Sequence, residues 1–224
     1  MASVASHNQD LATWLVKQAD VLKTIHRVFR LNFKSSQILE YYTYLILSLC
    51  TARQNLEILA EEMTFQVMSI LEFAKMKIKN LCKKKRFYGK AYENFIKITE
   101  NLVNTSFWLI EKRDFKTEFK QTQKWVLLID LFILLEVKNN KINIFLKEKI
   151  LFMLTKFINF SDGDDKMEIE ATDLMRLFND FIKIEPVKKN GQIVKLGWIF
   201  FMLFGNKFFS TETQIFLRTT SGRQ

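Results

Sequence analysis

Residues 63–86 read MTFQVMSILEFAKMKIKNLCKKKR, and how this stretch is read decides the fold. Met63, Val67, Ile70, Leu71, Ala74, Ile78 and Leu81 recur at three- and four-residue spacing, which places them on one face of a helix. Lys75, Lys77, Lys79, Lys83, Lys84 and Arg86 fall on its flanks and far side, and Lys85 belongs to the same basic run. Lys75 and Lys77 border the apolar face, where a long stem can lie on greasy surface while the ammonium reaches water or phosphate. Phe73 and Met76 stray outside the narrow face and widen it. Two readings fit: a helix lying in the headgroup layer of an anionic membrane, or a core-facing helix with a solvated Lys face.

On the N-terminal side, Leu11 to Phe33 reads as a first helix, capped by Asp10 and apolar at Leu11, Leu15, Leu22, Ile25 and Phe29. Ser35-Ser36 breaks it and starts a second, from Gln37 to about Glu61. On the C-terminal side, the basic segment closes near Gly89. Lys90 to Lys112 is then a fourth helix and Asp114 to Lys138 a fifth, which ends in a greasy run from Trp125 to Leu135. A polar turn at 139–141 precedes a sixth helix from Ile142 to Phe160. The clearest loop is 161–165. Thr172 to Ile184 reads as a seventh helix stopped by Pro186, and residues 193–209 as a closing apolar segment.

Composition supports this. The chain has 224 residues with only 6 Gly and 1 Pro, so long helices are expected and an all-β fold is excluded. The fold class is therefore all-α: a single domain of about seven or eight helices, with 63–88 as its amphipathic helix. A formal charge of +10 combined with 48% hydrophobic residues and 22 Phe points to membrane surfaces as readily as to RNA. Cys50 and Cys82 lie in apolar helical pattern without metal or redox spacing, and read as reduced cysteines of a cytosol-facing protein. The polar start of the chain carries no secretory signal pattern.

Neither greasy run matches a spanning helix, which needs about 20 mostly apolar residues. The run from Trp125 to Leu135 is short and carries Asp130, so burial in protein is its reading. Extending Leu196–Phe204 to residues 193–209 takes in Lys195 and Lys207, and leaves that segment open between core and membrane.

Catalytic chemistry finds little footing. The only histidines are His7 and His26; neither belongs to a nucleophile motif, and no Gly-rich phosphate loop is present. The chain reads as a non-enzyme without cofactor. Residues 162–173 half resemble a calcium loop, but Lys166, Met167 and Asp173 replace a ligand, the turn Gly and the bidentate Glu, so an acidic surface loop is the reading. A likeness of 191–205 to the central hairpin of Bcl-2-type bundles fails on spacing and position.

Four stretches, in order, resemble the peroxin-eleven family of peroxisomal membrane-elongating proteins. Trp14 to Arg27 is similar to that family's opening, keeping charges at Asp20, Lys23 and Arg27 but lacking its Gly-Arg. Leu49 to Leu56 resembles its small-Ala-Arg-Lys-Leu segment, with Gln54 where Lys is usual. Glu100 to Trp108, followed by Lys124-Trp125, is similar to its middle. Leu177 to Ile182, with 191–205 after it, resembles its close.

The resemblance implies a cytosol-facing protein of the peroxisomal or glycosomal membrane. Such a protein elongates the organelle ahead of fission by inserting an amphipathic helix into one leaflet. Its partners are then anionic lipids and the organelle fission machinery; apart from the resemblance, a homo-oligomer is a further expectation for the chain. Here the matching helix is 63–86. Two other readings stand beside it. One is a basic nucleic-acid-binding protein, such as a small viral nucleocapsid, using Lys83 to Arg86 with Phe87, Tyr88 and Tyr92. The other is a helical scaffold that binds partner helices.

Overall fold

The computed structural model describes residues 8–32, 35–84, 89–122, 124–135, 141–160, 176, 177 and 179. The chain divides into two compact units, Met1–Leu134 and Leu135–Gln224. Among the described residues every regular element is helical, so the all-α expectation holds.

Among the described residues the first unit contains seven α-helices: α1 (Gln9–Lys17), α2 (Ala19–Asn32), α3 (Ser36–Cys50), α4 (Leu56–Lys83), α5 (Lys90–Leu109), α6 (Arg113–Gln121) and α7 (Trp125–Leu134). A 3-10 turn, Arg53–Asn55, precedes α4. The first expected helix is two. Gln18 takes an extended conformation between α1 and α2, and its N–H donates to Trp14 O at 3.2 Å. The cap of α1 is Asn8 rather than Asp10: the Asn8 side chain accepts from the Leu11 N–H at 3.0 Å. Of the expected Ser35-Ser36 start, Ser35 is the cap and Ser36 already the first helical residue: Ser35 accepts from the Ile38 N–H at 3.4 Å.

The largest departure is where α3 ends. Instead of running to Glu61 it stops at Cys50, and Leu56 and Leu59 belong to α4. Thr43, Ser48 and Thr51 return their hydroxyls to the carbonyls of Glu40, Tyr44 and Ser48, a pattern that loosens a helix end. The Asn55 side chain, buried at the corner, donates to Leu49 O at 3.0 Å and satisfies a carbonyl the helix has abandoned. Gln54 in the same corner donates to Thr13 on α1. Similarly, the expected fifth helix is α6 and α7. The Lys124 N–H bonds Phe119 O at 3.1 Å across the break, and Thr122 Oγ1 bonds Glu118 O at 2.6 Å.

α5 packs against both α3 and α4. Asn101 donates from α5 to Glu40 O at 3.5 Å and to Thr43 Oγ1 at 3.2 Å on α3. α4 and α5 form an antiparallel hairpin, with Phe73 meeting the Phe95 ring edge-on at 6.1 Å. α6 and α7 lie on α4. Phe115 and Phe119, fully buried, stack at 5.9 Å on α6. In α7, Trp125, Leu127, Leu128, Ile129, Leu131 and Phe132 are buried, as the sequence reading of that run has it. Neither Cys50 nor Cys82 is in a disulfide, and burial pushes the Cys50 thiol up to about 12.

The second unit is described chiefly by α8 (Lys141–Phe160). Leu146, Ile150, Leu151, Met153 and Leu154 are buried along it. Lys149 lies over the Phe145 ring at 4.5 Å and Lys156 over Phe152 at 5.5 Å. The calcium-like loop 162–173, the closing segment 193–209 and nearly all of the expected seventh helix lie outside the described residues. Among the described residues no helix is long and apolar enough to cross a membrane.

Candidate functional site

α4 is one unbroken helix of 28 residues, and its two faces have different fates. Met63, Val67, Ile70, Leu71, Ala74 and Ile78 are fully buried. The spacing identified this face correctly, and the bundle fills it with its own side chains. Leu81 is half-buried near the helix end. In the folded unit this stripe is core, so contact with lipid requires α4 to part from the helices covering it.

The cations divide as well. Lys75, read as a border lysine, pairs with Asp130 of α7: Nζ lies 2.9 Å from Oδ2, with the two side chains 21% and 25% exposed. Lys77 behaves as a border lysine should, its ammonium 5.0 Å from the centroid of the half-buried Phe73 ring. Lys79, Lys83 and Lys84 are exposed, as is Lys90 at the start of α5. They gather at the end of the hairpin where α4 gives way to α5. Lys85 and Arg86, with Phe87 and Tyr88, lie outside the described residues.

Two further ion pairs hold α4. Lys124 Nζ reaches Glu72 Oε2 at 3.1 Å from the start of α7, and Lys112 Nζ reaches Glu57 Oε1 at 2.8 Å. With Lys75–Asp130 they form a line of contacts along one flank of α4. The periodicity could not show them, because each joins residues more than fifty positions apart. The only sequence signal was Asp130, an acid inside an otherwise apolar run.

Outside α4, His26 on α2 is a titratable group with defined surroundings. Its Nδ1 lies 3.3 Å from Tyr42 Oη on α3. Burial holds the imidazole below its ordinary value, the Glu62 carboxylate opposes this, and Arg30 adds to it. Burial also pushes the Tyr42 phenol up, so His26 and Tyr42 remain a neutral pair at physiological pH. Among the described residues no group of three or more His, Cys, Asp or Glu is placed to hold a metal ion.

No family model matches the chain, and neither a curated protein nor a solved structure matches it.

Proposed function

We propose that this chain remodels an organelle membrane, docking on anionic lipid through the basic end of α4 and inserting that helix once it parts from the bundle. With the family resemblance, the membrane is peroxisomal or glycosomal and the outcome is elongation before fission. The observation that carries the reading is the continuity of α4: one long helix joins a complete apolar face to an exposed cluster of Lys79, Lys83 and Lys84.

The exchange is physically reasonable. Each apolar side chain gains roughly 1.5–3 kcal/mol by leaving water, and acyl chains supply that gain as well as protein does. Opening forfeits close packing and the partly exposed Lys75–Asp130 and Lys124–Glu72 pairs, each worth about 1 kcal/mol or less. Each lysine near anionic lipid returns about 1 kcal/mol. Docking precedes insertion because the lysines are already outside and the apolar face is not.

The test uses the full chain and vesicles of phosphatidylcholine with or without phosphatidylserine. In a Cys82→Ser background, Lys75→Cys and Asp130→Cys joined by a short bis-maleimide fasten α4 to α7. The unjoined protein is expected to bind and tubulate the anionic vesicles, whereas the joined protein should bind without tubulating. Equal tubulation by both would show that α4 does not have to leave, and absence of binding by the native chain would end the membrane reading.

A second reading draws on the burial of the apolar face. With that face covered, the outside of the segment is cationic, as a phosphate-binding surface of a nucleic-acid-binding protein is. Under it, replacing Lys83, Lys84 and Lys85 with Ala abolishes salt-dependent RNA binding, and native protein ignores vesicles.

A further inference from the structure

The outer face of α4 carries a pattern that neither lipid nor nucleic acid explains. Two large apolar side chains stand out on it, Phe65 at 68% exposure and Met76 at 46%. They are eleven residues apart, about three turns, and so share one line on the helix. The charges beside them are segregated. Glu57, Glu61 and Glu62 occupy the N-terminal half; Lys79, Lys83 and Lys84 occupy the C-terminal half, and all six are exposed. This segregation complements the helix dipole, but the dipole gives no reason for Phe65 and Met76 to be in water.

We propose that this face is a two-fold interface with a second copy of the same chain, α4 packing antiparallel on α4. Placing the axis level with Ile70 and Leu71 sets Phe65 against Met76 of the second copy, and Met76 against its Phe65. The same register brings Glu61 to Lys79 of the second copy, since these two are eighteen residues apart, about five turns, and lie on one line. Glu62 and Asn80 share that spacing on the other flank, and Ile58 meets the stem of Lys83. Each contact occurs twice because the interface is isologous. Glu72, near the axis, already has Lys124 as its counter-ion at 3.1 Å, so the copies do not meet there as bare like charges.

The second copy is the occupant this face favours. An anionic membrane or a nucleic acid would attract the lysine half and repel the three glutamates of the other half. A copy turned end for end offers each half its opposite charge. In this register Lys79 pairs with the second copy while the ammonium groups of Lys83 and Lys84 are left for anionic lipid, and the proposal does not depend on whether the inner face enters lipid.

Sedimentation of the full chain across about 1–100 µM protein at low salt tests it. The native chain is expected to dimerise. Glu61→Lys alone and Lys79→Glu alone each set like charges together twice, and should weaken the dimer roughly tenfold or more. A mixture of the two variants restores opposite charges at both ends of a mixed dimer, and should associate as the native chain does. Circular dichroism and thermal melting of each variant separate loss of the interface from loss of the fold. A native chain that stays monomeric overturns the proposal, as do single variants that dimerise unchanged or a mixture that fails to recover. A monomeric native chain whose binding to phosphatidylserine vesicles is strengthened by Glu61→Lys would assign the face to membrane instead.

Discussion

Lys75 on α4 and Asp130 on α7, fifty-five positions apart in sequence, meet at 2.9 Å in a setting where each side chain keeps about a quarter of its exposure. The contact resolves two oddities together: an acid within a greasy run, and a lysine at the edge of an apolar face. Each charge is tolerated beside core because the other is there.

Removing one partner should therefore matter more than removing both. Asp130→Asn is expected to cost about 1 kcal/mol, leaving the Lys75 ammonium half-buried beside a neutral amide. Lys75→Met combined with Asp130→Leu should cost less than the sum of the single changes. Urea unfolding of the four proteins of this cycle reads the coupling, and strict additivity would mean that the pair contributes nothing.

The corner between α3 and α4 depends on one amide. Asn55→Ala leaves the buried Leu49 carbonyl without its donor at 3.0 Å, and the expected loss is about 1–3 kcal/mol. Asn55→Asp should be no better, because a carboxylate cannot donate to a carbonyl. Thermal melts compare the variants, and an Asp variant as stable as the native protein would contradict this account of the corner.

Acid should act through His26. Its imidazole is held below the ordinary 6.5 by burial, so the unfolded chain takes up a proton first as the pH falls. The contribution is complete above about 6.5 and declines as the pH drops towards the folded value. His26→Gln should flatten that part of the stability–pH curve relative to the native protein, since Gln does not titrate. Parallel curves for the two proteins as the pH falls from about 7.5 to about 5, where a histidine ordinarily titrates, would exclude His26 as the cause.

The two environments of the α4 apolar face separate the chain from its fragment. A peptide of residues 63–88 should be disordered in buffer and helical on anionic vesicles, having nothing else to cover its face. Ile70→Glu in the peptide should abolish the gain in helicity. In the full chain Leu71→Ala should cost about 2–5 kcal/mol, because Leu71 is fully buried. Circular dichroism reads the first two outcomes and denaturant unfolding the third. A loss under about 1 kcal/mol, well below the range a buried leucine gives, would mean that α4 is not held in the bundle as described.

The helical class and the membership of the α4 core face were legible in the chain. Scarcity of Gly and Pro removes the usual breaks, and a 3.6-residue period in Met63, Val67, Ile70, Leu71, Ala74 and Ile78 needs only local geometry to be read. The Ser35-Ser36 pair was legible as a helix start from the cap chemistry of serine. Helix breaks were less so. The turns at Gln18, Thr51–Asn55 and Gln121–Lys124 contain neither Gly nor Pro. They are held by hydrogen bonds such as Asn55 to Leu49 and Lys124 to Phe119, together with the packing of the helices on either side.

By itself, then, the sequence determined that α4 is a helix, which side of it is apolar and where its charges lie, because those properties repeat within a few turns of one segment. Only the tertiary structure decided what covers the apolar side and which lysines remain outside. An apolar face is equally satisfied by lipid or by protein, since the hydrophobic effect has no direction and no preference between dry surroundings. The choice was made by residues far along the chain: Phe95 against Phe73, and Asp130 against Lys75. Periodicity within one helix carries no information about partners that distant.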